Sequence, residues 1–204
     1  MLLYTNPASP FGRKVAVVAH ETGLASRIEI HDEALSPVSP NDAVSAANPL
    51  GKIPCLVTDD GKTLYDSRVI AEYLDSLHGG ERLFPADGDP RWRALRRQAL
   101  GDGIMDAAVA ARYEATLRPE AYRWDGWIEG QRRKVAQGLD RLETEVLSFG
   151  GGIDIGLIAV GCALGYLDFR YADWPWRPGR PRLAAWFERF DARASMQQTR
   201  PRQL

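Results

Sequence analysis

The stretch NPLGKIPCLVTDDGKTLYDS, residues 48–67, decides the fold of this chain. Residues 53–58 predict a strand, and residues 63–65 predict a second, shorter one. The Asp-Asp-Gly between them is typical of a tight turn, so the two strands are expected to pair as a β-hairpin. Asp66 then precedes apolar residues at helical spacing as far as residue 77, which predicts a helix with Asp66 at its N-cap.

The residues before this hairpin predict a β-α-β unit. A short apolar run at 2–5 indicates a strand, and apolar residues recur at helical spacing over 11–22. Residues 27–31 alternate between polar and apolar, which indicates a second strand. Two strands joined through a helix form a parallel pair with a right-handed crossover. Residues 1–78 are therefore predicted to form one α/β domain.

Beyond this domain the character of the sequence changes. Glycine, proline and charged residues mark a linker at 79–88, and residues 89–204 predict an all-α domain. Helices are expected at 90–117 and 120–147, over the continuously apolar run that follows Asp154, and at 182–193. The polar tail from Ser195 is expected to be loose.

Composition excludes several classes of function. The formal net charge is −1, so no electrostatic attraction to nucleic acid or to anionic membranes is expected. The two cysteines and three histidines show no metal-ligand spacing, so no metal site is predicted. The apolar runs are too short for a signal peptide or a membrane span. A cytoplasmic protein in a reducing compartment is the expectation.

Four motifs, in this order and spacing, resemble the glutathione transferase family over nearly the whole chain. They are SPFGRKV at 9–15, NPLGKIPCLV at 48–57, LYDSRVIAEYLD at 64–75 and IAVGCALGYLDFR at 158–170. The resemblance implies a thioredoxin-like N-terminal domain, an all-helical C-terminal domain and a homodimer with Asp66 near its two-fold interface. It implies glutathione as co-substrate and no further cofactor.

The second and third motifs carry the implied glutathione site. Base rates alone favour a trans bond before Pro54, whereas the resemblance implies a cis bond that turns the Ile53 backbone toward the cysteinyl part of glutathione. Asp66 and Ser67 would bind the γ-glutamyl end at a helix N-terminus, where orphan N–H groups and the helix dipole favour an anion. Lys52 would neutralise the glycyl carboxylate, or it is an ordinary surface lysine.

The first motif carries the implied catalytic group. Ser9 either caps the first helix and does nothing else, or its hydroxyl also stabilises the glutathione thiolate; Phe11 is assigned to the same glutathione site. Lowering a thiol pKa by ~2 units requires about 2.7 kcal/mol, and a hydrogen bond to a charged acceptor supplies ~1.5–3 kcal/mol. Thr5 and Tyr4 are the alternatives to Ser9, in that order.

The second substrate is expected to be a small hydrophobic electrophile, bound against the first helix of the C-terminal domain. Met105, Arg112 and Tyr113 are assigned to this pocket, with ordinary core or interface packing as the alternative interpretation. One departure from the family pattern concerns the capping box of the central helix. Asp154 is at the cap, but Leu157 occupies the position of the second polar partner.

The predicted function is a glutathione transferase that conjugates the thiolate to the electrophile. Two alternatives remain open at this point. The first is a glutathione-dependent disulfide reductase or peroxidase, which substrate preference would reveal. The second is a non-catalytic binding or regulatory relative, because one fold serves many functions.

Overall fold

The computed structural model describes all residues 1–204 and divides the chain into two compact units. Unit 1 comprises Met1–Arg91 together with Arg193–Leu204, and unit 2 comprises Trp92–Ala192. The sequence assigned residues 89–204 to the helical domain, but the last residues of the chain pack with the N-terminal α/β unit.

Unit 1 is built on a four-stranded mixed sheet with the order β2-β1-β3-β4. β1 and β2 are parallel, whereas β3 is antiparallel to both β1 and β4. Its elements are β1 Leu2–Thr5, α1 Pro10–Glu21, β2 Glu29–Asp32, α2 Asp42–Ala47, β3 Cys55–Val57, β4 Thr63–Leu64 and α3 Ser67–Ser76. This is the thioredoxin-like β-α-β and β-β-α arrangement predicted from the sequence.

The core of unit 1 lies between the sheet and the two helices α1 and α3. Leu3 and Leu56 contribute from the central strands, Val15 and Val18 from α1, and Ile70 from α3, and all are buried. Each fully buried aliphatic side chain contributes about 1.5–3 kcal/mol. The apolar residues whose spacing predicted both helices are therefore the residues that pack against the sheet.

The C-terminal tail is an ordered helix, α8 Ala194–Gln198, and the expectation of a loose tail was wrong. Arg193 forms a bidentate ion pair with Glu21 of α1, with both N–O distances at 2.9 Å. Ser195 donates a third hydrogen bond to Glu21, and Met196 is completely buried. Burial of Met196 and this charged clasp together hold the polar tail against α1.

Unit 2 is entirely helical, and α4 enters it from the end of unit 1. Its helices are α4 Gly88–Thr116, α5 Asp125–Glu145, α6 Ile155–Arg170 and α7 Pro181–Asp191. Residues 155–167 of α6 are buried on every face, as their continuous apolar sequence predicts. The helix predicted at 120–147 is shorter, with a 3₁₀ turn at Glu120–Tyr122 before it and another at Val146–Ser148 after it.

The start of α6 compensates for its incomplete capping box. The Asp154 Oδ1 atom accepts the N–H of Leu157 at 2.8 Å, so the first half of the box is intact. The buried Arg97 places its Nη1 atom 3.8 Å from Asp154 Oδ2, and its Nη2 atom donates to the Ser148 carbonyl at 3.1 Å. A cation from α4 thus lies beside the Asp154 carboxylate, a contact different from the backbone N–H bond that a polar residue at 157 would accept.

The helices show no membrane span: none combines the necessary length with a sufficiently apolar surface.

Candidate functional site

The sheet brings the three sequence motifs of unit 1 to one edge. Tyr4 on β1 pairs with Cys55 on β3, so the end of β1 lies beside the start of β3. Leu56 pairs with Leu64, so the end of β4 lies at the same edge. The loop after β1, the residues before β3 and the start of α3 therefore converge there. These segments contain Ser9, Ile53-Pro54 and Asp66-Ser67.

Ser9 is the N-cap of α1 and is half-buried. Its Oγ atom accepts the N–H of Gly12 at 3.1 Å, which leaves the hydroxyl proton able to donate elsewhere. Two hydrogen bonds of Asn6 stabilise the loop. The Asn6 carbonyl accepts the Ser9 N–H at 2.8 Å, and the Asn6 side-chain amide donates to the Glu33 carbonyl at 2.9 Å. Cap and hydrogen-bond donor are compatible roles for one hydroxyl. Phe11 lies half-buried in the first turn of the same helix.

The two alternatives to Ser9 have contacts of their own. Thr5 is only 7% exposed, and its Oγ1 atom packs on the Cα of Gly12: a Cβ at position 12 would lie 2.1 Å from it. Position 12 must therefore be glycine for the loop to close on β1. Tyr4 packs its ring edge-on against His31, with the centroids 5.7 Å apart. Of the three candidates, Ser9 is the one whose hydroxyl oxygen caps α1.

The Ile53–Pro54 peptide bond is cis, as the resemblance implies. Ile53 lies just before β3 and outside its ladder, and neither its N–H nor its C=O forms a hydrogen bond with another residue. Pro54 is buried, while Lys52 is exposed and forms no ion pair. A strand residue with an unpaired donor and acceptor is a template for pairing with an extended peptide.

Asn48 organises this segment, although an asparagine before proline is typical only of a turn. Its side-chain amide donates to the Lys52 carbonyl at 2.8 Å, and its Oδ1 atom accepts the Leu50 N–H at 3.1 Å. The Asn48 side chain is buried, and both bonds are partly buried. The only signal in the sequence was the residue type. An asparagine side chain has both a donor and an acceptor, and both need partners when the residue is buried.

Asp66 and Ser67 begin α3, as predicted. Asp66 is exposed, and its Oδ1 atom accepts the Arg68 N–H at 2.9 Å; the Tyr65–Asp66 peptide bond is cis. Ser67 is 2% exposed, and its hydroxyl forms no hydrogen bond with another residue. This helix start therefore combines a hydroxyl that is able to donate with orphan backbone N–H groups that favour an anion.

The residues predicted for the second substrate lie in unit 2, on α4. Met105 is completely buried, Arg112 is half-buried and Tyr113 is exposed. Burial raises the pKa of Tyr166 on α6 to about 12, although the charges of Arg112 and Arg170 act in the opposite direction. The assignment of these residues to an acceptor pocket stays a prediction.

Cys55 and Cys162 are buried and form no disulfide, and burial raises the pKa of the Cys55 thiol. The His, Cys, Asp and Glu side chains form no group of three or more that could hold a metal ion.

Comparison with known proteins agrees with the geometry. Residues 8–77 match the family model for the glutathione S-transferase N-terminal domain, and residues 125–189 match the model for the C-terminal domain. The uncharacterized GST-like protein YibF of Escherichia coli K12 is 34% identical, over 98% of this chain and 98% of its own length.

A glutathione transferase family member from Pseudomonas fluorescens Pf-5, crystallised with bound glutathione, is 50% identical to this chain. It covers 98% of both chains with a TM-score of 0.97. A second crystal structure, also of a glutathione transferase family member from this organism, contains S-(propanoic acid)-glutathione. It has a TM-score of 0.92, and the match covers 98% of this chain and 99% of the Pseudomonas chain. Fold, motif positions and relatives agree, and the chain belongs to the glutathione S-transferase family.

Proposed function

We propose that this protein is a glutathione transferase, which binds glutathione at the sheet edge of unit 1 and conjugates it to a small electrophile. The observation that carries the proposal is the unpaired backbone of Ile53, which lies beside the helix start at Ser67 and the Ser9 loop. The glutathione bound by the 50% identical Pseudomonas protein supports the same ligand here.

The proposed binding mode uses three groups. The N–H and C=O of Ile53 pair with the cysteinyl backbone of glutathione, as an added strand would. The Ser67 hydroxyl and the orphan N–H groups of α3 hold the γ-glutamyl carboxylate, while Asp66 holds the ammonium group. Lys52, which is exposed and has no ion-pair partner, faces the glycyl carboxylate. Each end of the tripeptide thus meets an opposite charge.

Ser9 is the proposed thiolate-stabilising residue. Its hydroxyl donates to the glutathione sulfur while Oγ still accepts the Gly12 N–H. The thiol proton leaves to solvent, and the thiolate sulfur forms a bond to an electrophilic carbon. In a substitution, that carbon releases a leaving group with its electron pair. In an addition, the negative charge passes to a neighbouring atom, which takes a proton from water. An S-substituted glutathione results, the kind of molecule held in the second Pseudomonas structure.

The remaining parts of the proposal concern context. The electrophile is expected to contact Arg112 and Tyr113, the protein is expected to act in the cytoplasm in detoxification, and a homodimer is expected. In support of the dimer, α3 exposes Val69 on its surface, close in sequence to Asp66.

Turnover with two substrate classes tests the proposal. Initial rates are measured with glutathione and an aryl halide, and then with glutathione and a mixed disulfide, for the wild type and for Ser9→Ala. A transferase is faster with the aryl halide and loses most of that rate in Ser9→Ala. A preference for the mixed disulfide would support the reductase instead. Glutathione binding without either activity would leave the non-catalytic relative.

A further inference from the structure

Unit 2 contains two arginines on neighbouring helices that have no carboxylate partner. Arg112 lies on α4 and Arg132 on α5, and both side chains are half-buried. Neither side chain forms an ion pair or a hydrogen bond with another residue. Charged side chains that leave the surface are usually paired, so this arrangement calls for an explanation.

Arg132 is the more unusual of the two. Its Nε–H is buried and has no hydrogen-bond acceptor, whereas most buried polar atoms of side chains have one. Its guanidinium carbon lies 5.6 Å from the centre of the Trp174 ring, an aromatic surface that attracts a cation. The ring does not replace the missing acceptor, so the hydrogen-bonding capacity of Arg132 is not used by the protein itself.

An aromatic pair connects the two arginines. The Tyr171 hydroxyl donates to the Ala108 carbonyl at 2.5 Å, one helical turn before Arg112 on α4. The Tyr171 ring packs edge-on against Trp174, with the centroids 6.1 Å apart, and Trp174 is the ring that Arg132 covers. Burial raises the pKa of Tyr171, whereas the charges of Arg132 and Arg112 both act to lower it. Both guanidinium groups are therefore close enough to act on one hydroxyl.

The other charges around this pair leave it positive. Burial lowers the pKa of Arg170 on α6, and the nearby positive charge of Arg112 lowers it further. Arg170 is engaged by a hydrogen bond with Tyr166, so it adds charge here but is not needed as a ligand. Asp173 acts on Tyr171 with the opposite sign, but it is exposed and forms no ion pair. The local charge therefore favours an anion, although the chain as a whole is close to neutral.

We propose that Arg112 and Arg132 bind a carboxylate carried by the electrophile, so that the second substrate is an anionic compound with a hydrophobic body. This inference rests on the proposed function and names the substrate class for it. The planar fork of an arginine matches the two oxygens of a carboxylate, and charge-assisted hydrogen bonds of this kind are stronger than neutral ones. Arg112 was assigned to the second substrate from the sequence, and Arg132 is added as a specificity-determining residue from another helix.

The test compares two electrophiles of the same shape, 4-chloro-3-nitrobenzoate and its uncharged analogue 4-chloro-3-nitrobenzamide. In both reactions the glutathione thiolate forms a bond to the ring carbon that carries chlorine, and chloride leaves with the electron pair of the broken bond. For each compound, kcat/KM is divided by the rate constant of its uncatalysed reaction with glutathione. The wild type is expected to prefer the carboxylate by about tenfold, mainly through a lower KM, as one hydrogen bond to a charged group would give.

Matched variants identify the cause of the preference. Arg112→Met/Arg132→Met removes both charges but keeps much of the packing of the side-chain stems, and it should abolish the preference. Arg112→Lys/Arg132→Lys retains the charge without the planar fork, and it should keep part of the preference. Arg133→Ala removes an exposed arginine from the same helix and is the control that should keep all of it. If thermal unfolding shows that the double methionine variant does not fold, Arg112→Met alone should lower the preference at least about threefold.

The outcomes separate this inference from the proposed function. Turnover of both compounds without a preference for the carboxylate would overturn the inference and leave the transferase in place. A preference that survives in the methionine variants, or that is lost equally in Arg133→Ala, would do the same. Turnover of neither compound would overturn the proposed function, and with it the inference that rests on it.

Discussion

Replacement of Ser9 by alanine gives the sharpest prediction about the reaction. The change removes one oxygen, which in the structure accepts the Gly12 N–H at 3.1 Å and in the proposed complex donates to the thiolate. Loss of a hydrogen bond to a charged acceptor is worth ~1.5–3 kcal/mol. At about 1.4 kcal/mol per pKa unit, the pKa of the bound thiol should rise by about 1–2 units.

The expected effect on the thiolate population is large at neutral pH. A thiol pKa lowered to about 6.5 leaves about three quarters of the bound glutathione ionised at pH 7, whereas a pKa of about 8 leaves about a tenth. The assay is the ultraviolet thiolate absorbance of the saturated complex, recorded as a function of pH. The loss of the helix cap should also cost about 1 kcal/mol of folding free energy, or about 2–4 °C in Tm.

Three matched variants distinguish the Ser9 hydroxyl from the competing hydroxyls. Ser9→Thr retains an oxygen that can cap and donate, so it should retain most of the thiolate. Thr5→Val and Tyr4→Phe remove the competing hydroxyls and should leave the thiol pKa unchanged. The reasoning is refuted if Ser9→Ala titrates like the wild type while either of these variants raises the thiol pKa.

The other predictions concern stability and binding. Asn48→Ala removes two partly buried hydrogen bonds, to the Lys52 carbonyl and the Leu50 N–H, and should lower the free energy of unfolding by about 1–3 kcal/mol and weaken glutathione binding, as denaturant titration and calorimetry would show. Burial raises the pKa of Glu21, but hydrogen bonds from Arg193 and Ser195 outweigh it and hold the pKa below its usual value. This clasp therefore stabilises the fold above the ordinary glutamate pKa and is lost as the pH falls through the lowered one, so Glu21→Gln should flatten the acid limb of a stability-versus-pH curve. Gly101→Ala should cost about 1–3 kcal/mol, because its Cβ would lie 2.7 Å from the α6 backbone, whereas the control Gly103→Ala meets no atom within 4 Å and should stabilise α4 by up to about 1 kcal/mol in thermal unfolding.

The helices and strands of unit 1 could be predicted from local signals. The Ser9 cap, the Asp-Asp-Gly turn and the Asp66 cap each act over a few residues, and each is where the sequence placed it. The boundaries moved slightly: α1 begins at Pro10, because proline suits the first turn of a helix, where its missing N–H is not needed.

Features that depend on distant residues could not be predicted in the same way. The tail from Ser195 is polar by composition, and only its contact with Glu21 and the burial of Met196 explain why it is helical. Arg97 contacts the Asp154 cap from another helix. The residues around the incomplete capping box could not predict this contact. The prediction of a cis bond before Pro54 rested on the family resemblance, because the statistics of proline peptide bonds alone favour trans.

The proposed glutathione site could be predicted only in part from the sequence. The three motifs are separated by tens of residues, and it is the antiparallel pairing of β3 with β1 and β4 that brings them to one edge. The role of Asn48 could not be predicted, because a polar residue before proline is typical of a turn. Its burial is a property of the folded chain.

An NMR titration of the protein with glutathione tests the central claim most directly. The account predicts saturable shifts concentrated on the amides of Ile53, Ser67 and the Ser9 loop, with one molecule bound per chain. Ile53 should shift most strongly, because its N–H gains a hydrogen bond that it lacks in the structure. No shift, or shifts that leave Ile53 and Ser67 unchanged, would contradict a glutathione site at this edge of the sheet.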